Sequence, residues 1–232
     1  MSKILGIIGA KGGVGKTTIA LNLAYILSHA GRQVIVADMD LHTPHISLYL
    51  GYNSPATTIH DVLSCKIQLR DALYLHPSGM RVIPGATIYE AVNRVSYSEI
   101  GRVIGELREY GEMTILDAPS GLGPQLDAVL SSCDYCIIVT GDDLASHADA
   151  LKSALRANEL GKKVLGVIVN KTRGGADKSA IASFVGVPVL GVVPYDESVL
   201  DSNSVFSPVA FSHPGSLASC ALQQIAAALS RQ

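Results

Sequence analysis

A chain of 232 residues with 48% apolar side chains has the material for a large core, and its formal net charge of −2 gives no global reason to bind nucleic acid or acidic surfaces. The opening MSKILGIIGAKGG has too short an apolar run for a signal peptide, and no stretch approaches the ~18 uninterrupted apolar residues of a membrane span. A cytoplasmic location is therefore expected, with Cys65, Cys133, Cys136 and Cys220 reduced instead of forming a disulfide framework.

The first predicted strand is Ile4 to Ile8, and a helical pattern (Ile19, Leu23, Ile26, Leu27, Ala30) follows, closed by Gly31. Between them, Gly15-Lys16-Thr17 ends a phosphate-binding loop of the GxxxxGK[ST] kind, in the strand-loop-helix context that motif demands. One position departs, since Ala10 stands where the motif has its first glycine. Backbone N–H groups around Gly12, Gly13 and Gly15 are free to converge on phosphate oxygens, and the first turn of the helix adds its positive dipole end. Lys16 is expected to neutralise the β- and γ-phosphates, and the Thr17 hydroxyl to hold Mg²⁺. A second lysine in the same loop, Lys11, has no part in this scheme.

A second strand at Val34 to Ala37 runs into Asp38-Met39-Asp40. Acidic residues at strand ends beside the loop reach Mg²⁺ directly or through its waters; Asp40 is expected near the metal and the attacking water. Asp38 stands between such a role and a plain hydrogen bond to the loop. His42 and His45 read as loop residues, and residues 41–78 are irregular. A strand at Met80 to Ile83 precedes a capping box, Ser96 with Glu99, that opens a helix to about Tyr110. The strand Met113 to Leu116 ends in Asp117, an outer-shell metal partner.

Cys133 and Cys136 form a C-x-x-C across a helix end and the start of the strand Tyr135 to Val139. One pair supplies two ligands, so a tetrahedral zinc or iron–sulfur site would need two chains; otherwise these are core cysteines. From Lys152 to Lys178 the cations Lys152, Arg156, Lys162, Lys163, Lys171, Arg173 and Lys178 face only Glu159 and Asp177, a solvated face or a nucleic-acid patch. The strand Val164 to Val169 ends in Asn170-Lys171-Thr172-Arg173, where a guanine reader needs a carboxylate at the last position. Arg173 only donates, so adenine is expected, with Asn170 pairing the base edge. A last strand, Val189 to Val193, precedes irregular residues 194–215. Continuous apolar strands alternating with helices imply one α/β domain over residues 1–232, with a mainly parallel sheet covered by helices on both faces and ligands beyond the carboxyl strand ends.

KGGVGKTT, DMDLHTPHISLYLG, ILDAPSGLG, VIVNK and PVLGVVPYDE together resemble the MinD/ParA family of deviant-phosphate-loop ATPases, most closely its archaeal MinD-type members, from about Lys3 to Leu229. The resemblance implies a P-loop domain of roughly seven strands that binds ATP and Mg²⁺. It implies an ATP-dependent sandwich homodimer in which Lys11 crosses to the partner's phosphates. The nucleotide set it implies is Gly12, Gly13, Val14, Gly15, Lys16, Thr17 and Thr18, with Asn170, and with Pro194 and Asp196 flanking the adenine. Lys11, Lys16 and Asp40 are the expected catalytic residues, and Thr17, Asp40 and Asp117 the metal set. Asp149 matches an acidic position near the dimer interface or is a solvated helix carboxylate.

Bacterial MinD ends in a basic amphipathic helix, whereas Ser216 to Gln232 here carries one basic residue, Arg231, so membrane binding without a partner is not expected. The segment DLHTPHISLYLG is also similar to Mrp-like iron–sulfur carriers, whose C-terminal C-x-x-C is missing here. Three functions follow from the resemblance. The first is an ATPase switch that positions cellular machinery with an activating or cargo protein. The second is metal or cluster insertion through Cys133 and Cys136 across a dimer. The third is ParA-like partition on DNA through the 152–178 cluster.

Overall fold

A computed structural model describes residues 2–92 and 95–230. The strands are β1 (Lys3–Gly9), β2 (Val34–Asp38), β3 (Tyr74–Leu75), β4 (Arg81–Ile83), β5 (Met113–Ser120), β6 (Tyr135–Thr140), β7 (Lys163–Thr172) and β8 (Val189–Pro194). They form one sheet in the order β3-β4-β2-β5-β1-β6-β7-β8. Every pairing is parallel except β3 with β4. The eighth strand beyond the expected seven is β3, whose two residues pair at the edge in a stretch with no strand pattern of its own.

The apolar runs exist because both faces are covered. Along β1, Ile4 and Ile8 point into one core, and Leu5 and Ile7 into the other, as the two-residue strand period requires. The first core is closed by α5 (Ile100–Leu107), α6 (Pro124–Ser132), α7 (Leu144–Glu159) and α8 (Lys178–Val185). The second is closed by α1 (Lys16–His29), α10 (Val209–Ser212) and α11 (Leu217–Leu229). Short helices α2 (Ile46–Tyr49), α3 (Ile59–Leu63), α4 (Tyr89–Val92) and α9 (Ser198–Ser204) lie in the irregular segments and around them. Gly31, at φ +88, ends α1 as expected, in a left-handed conformation that costs glycine little.

The Ser96–Glu99 capping box does not form. A 3₁₀ turn occupies Tyr97–Glu99 and α5 begins at Ile100, because each partner has a nearer alternative. Ser96 Oγ bonds Ser98 Oγ at 2.8 Å, and the Glu99 carboxylate accepts from Arg102 Nε at 2.7 Å. The helix stops at Leu107, short of the expected Tyr110, where the N–H of Tyr110 bonds the Leu107 carbonyl.

The 152–178 cations do not share a face. Lys152 pairs with Asp149, Arg156 with Asp127 and Glu159, and Lys162 donates to the carbonyls of Ser131 and Cys133. Lys162 and Lys163 stand at the start of the ten-residue β7, and Lys171 and Arg173 at its far end, about 30 Å away. Cys133 and Cys136 are 3% and 0% exposed. Burial pushes the Cys136 thiol up to about 12 and Cys133 higher still. In the single chain neither thiol faces the surface, where a second copy would have to meet it. Arg231, the one basic residue of the C-terminal segment, lies outside the described residues.

Candidate functional site

The carboxyl ends of β1, β2, β5 and β7 meet at the loop between β1 and α1. Ala10 is pinned from two sides, its N–H donating to Ser153 Oγ at 3.1 Å and its carbonyl accepting from Gly121 N–H at 2.8 Å. Its φ is not positive, so alanine replaces the motif's glycine without strain. Gly15 differs. It caps α1 at φ +97, and a Cβ there would collide with the Asn170 amide. No side chain caps α1 and its first turn carries no acid, so its leading N–H groups and dipole end are left for a ligand. They open into a cavity of about 510 Å³ whose walls include Gly13, Lys16, Thr17, Asp40, Asp117 and Ser120.

Lys16 is 7% exposed, and its Nζ donates to Ser120 Oγ at 2.6 Å. Burial lowers its pKa against the opposing pull of Asp117 and Asp40. Thr17 Oγ1 donates to Asp117 Oδ2 at 2.6 Å, while the buried Asp117 Oδ1 has no hydrogen-bond partner. Burial raises Asp117 to about 7, with the Thr17 bond and the Lys16 charge working against the rise. The Thr17 hydroxyl and the spare oxygen of Asp117 fit a hard divalent cation, and the buried Lys16 ammonium fits the phosphate beside it. Asp40 Oδ1 accepts from Thr43 N–H at 3.1 Å in the wall of the same cavity.

Asp38 is a brace. Its two oxygens accept from the N–H groups of Asp40 and Ile46, at 3.2 and 3.0 Å, fixing the chain between β2 and α2. Burial first, and the Asp117 charge second, hold its pKa well above the carboxylate range.

A second hollow of about 100 Å³ adjoins the cavity, bounded by Thr18, Ile19, Asn170, Pro194, Asp196 and Leu222. Its wall is mostly apolar, with a few polar groups, as a flat heterocycle requires. Asn170 turns one amide hydrogen onto the loop, Nδ2 donating to the Val14 carbonyl at 2.8 Å. Asp196 holds its corner by accepting from Ser198 and Ala218 N–H, both at 2.9 Å, and the Ala218 bond leads in lowering its pKa. Arg173 lies over the Tyr195 ring at 4.4 Å.

Lys11 is turned away from this cavity. Its Nζ lies 3.1 Å from both oxygens of Asp143 and 2.9 Å from Ser146 Oγ, at the start of α7. Asp143 also caps that helix through Ser146 N–H; its bonds to Ser146, then to Lys11, hold it well below the carboxylate range. The Asp149 carboxylate pairs with Lys152 one turn on.

Four contributors escaped sequence reading. Ser120 follows Asp117 within the same DAPSG segment and was in principle visible there. Asp143, Lys171 and Gln125 were not. Gln125 donates to the Met39 carbonyl at 2.7 Å and bonds His42 Nδ1 at 2.8 Å, tying α6 to the loop after β2.

Residues 5–209 match the CobQ/CobB/MinD/ParA nucleotide binding domain. An uncharacterized ATP-binding protein of Methanocaldococcus jannaschii is 34% identical, over 99% of this chain and 88% of its own. An iron–sulfur cluster carrier protein of the same organism is 32% identical, over 84% of this chain and 74% of its own. The septum site-determining protein MinD of Pyrococcus horikoshii OT3, solved with Mg-ADP, superposes with a TM-score of 0.94 at 28% identity, covering 100% of this chain and 97% of that one. With the family match running through the phosphate loop and both acidic strand ends, this chain belongs to the CobQ/CobB/MinD/ParA nucleotide-binding family.

Proposed function

We propose that the protein is a MinD-like ATPase switch that binds ATP with Mg²⁺, pairs face to face with a second copy, and parts from it on hydrolysis. One observation carries the reading. Beside an uncapped helix N-terminus, Lys16, Thr17 and Asp117 form a buried set in which Asp117 keeps one oxygen without a partner. Bound there, Mg²⁺ would be held through Thr17 and Asp117 and would offset phosphate charge. The chain's own residues do the remaining work. Gly12 to Thr18 grip the phosphates, Asp40 orients the attacking water, and Asn170, Pro194 and Asp196 frame the adenine. Lys11, solvent-accessible in its pair with Asp143, would reach a partner's phosphates once Asp143 releases it.

Such a switch would position cellular machinery through an activating or cargo protein. The cluster-carrier reading keeps a relative in its favour, but Cys133 and Cys136 are buried in the single chain and count against it. Among the described residues no group of three or more His, Cys, Asp or Glu is placed to hold a metal ion. The test is calorimetric titration with MgATP and MgGTP, followed by phosphate release. ATP should bind at least tenfold more tightly and turn over slowly; equal or tighter GTP binding, or no phosphate release at dimer-forming concentrations, would refute the proposal.

A further inference from the structure

Lys171 breaks two local rules at once. It has φ +61, in the left-handed region that disfavours a side chain, and it is the extra residue where the register of β7 against β8 shifts, Asn170 pairing with Val193 and Thr172 with Pro194. Bulges beside sites re-aim side chains, and this one sends an exposed lysine 2.8 Å from the Gly13 carbonyl, 158 residues away in sequence. Its neighbour Asn170 holds the next carbonyl, that of Val14. In a planar trans peptide the carbonyl and the following N–H point in opposite directions. Two successive carbonyls drawn toward the end of β7 therefore turn the N–H groups of Val14 and Gly15 away from the Asn170 amide and the Lys171 ammonium, in a loop whose Gly13 and Gly15 wall the cavity together with Lys171.

We infer that Lys171 is a positioning residue that presets the phosphate cradle, its ammonium fixing the Gly13–Val14 peptide before any ligand arrives. The inference rests on the nucleotide reading of the site and adds to it a link between base hollow and phosphate cradle, since Lys171 borders both. Charge-assisted bonds of this kind are strong enough to set a peptide's orientation. The strained backbone at Lys171 is then the conformation that brings the ammonium within reach.

The test compares ADP and adenosine binding to the whole protein with Lys171→Met, alongside amide NMR of the ligand-free state. ADP affinity should fall about tenfold, well beyond any loss for adenosine, and the Val14 and Gly15 amide signals should shift without ligand. Lys171→Gly guards against misfolding: it relieves the left-handed strain, so its melting temperature should not fall although ADP affinity drops as in the Met variant. Unchanged ADP affinity, or an equal loss for adenosine, would overturn the inference. Weakened ADP with unmoved Val14 and Gly15 amides would overturn it in favour of direct phosphate contact. Failure of the unaltered protein to bind ADP would remove the nucleotide reading itself, and this inference with it.

Discussion

Asp38 and Asp40 stand two positions apart at the end of β2, yet the chain gives them different work. Both oxygens of Asp38 are taken by backbone N–H groups, whereas Asp40 uses one on Thr43 and lines the cavity. Asp40→Ala should therefore retain nucleotide affinity and lose turnover by at least about a hundredfold, the scale of a positioned acid–base group. Single-turnover phosphate release beside equilibrium titration measures both, and normal hydrolysis would remove Asp40 from the mechanism. Asp38→Ala should instead destabilise the fold, since it leaves the N–H groups of Asp40 and Ile46 without acceptors, at about 1–3 kcal/mol for a buried unmet donor. A urea melt indistinguishable from that of the unaltered protein would count against the brace.

Elements joined by charge lend the fold its acid sensitivity. Asp134, just before β6, accepts from Ile4 N–H in β1 and from both terminal nitrogens of Arg108 after α5, all at 2.8 Å. The Arg108 bonds come first in lowering its pKa below the ordinary 3.8. A depressed carboxylate contributes stability present above its unfolded value and lost as pH falls through the folded one. Both side chains are over a third exposed, so solvent screening keeps the pair's worth to about 1 kcal/mol. Arg108→Met should cost that much at neutral pH and progressively less below about pH 4; a cost that persists undiminished in acid would assign it to the lost Ser2 carbonyl bond. The same elements show what sequence could disclose. Strands buried on both faces announce themselves as unbroken apolar runs, and the phosphate loop is local, so both were legible. Short helices among residues 41–78 and the two-residue β3 take their shape from neighbours and carry no period of their own. Ser96 and Glu99 had the right spacing, but competing partners decided the outcome. Lys171 with Gly13 and Lys11 with Asp143 are joined across 158 and 132 residues, which no local pattern records.

Two properties belong to the molecule as a whole, membrane binding and the proposed pairing of two copies. The apolar residues of α11, Leu222, Ile225 and Leu229 among them, are buried in the core, and no described helix is long and apolar enough to cross a membrane. Sedimentation with anionic vesicles should find little protein bound, with or without ATP, because α11 over Leu217–Leu229 carries no Lys or Arg. The proposed pairing of two copies would turn on Lys11. In the single chain this ammonium is occupied by Asp143 and Ser146, so crossing to a partner requires exchanging those bonds for phosphate. The tether is solvent-exposed and therefore weak, a hold that a doubly charged γ-phosphate outcompetes. Lys11→Ala should leave nucleotide titration of the monomer unchanged while abolishing ATP-induced dimerisation and hydrolysis. Asp143→Asn keeps a helix cap but removes the opposing charge, so it should dimerise at severalfold lower protein concentration with the same ATP analogue. Light scattering with a nonhydrolysable analogue reads both variants. A Lys11→Ala protein that pairs normally would show that the second lysine of the loop serves only its own chain.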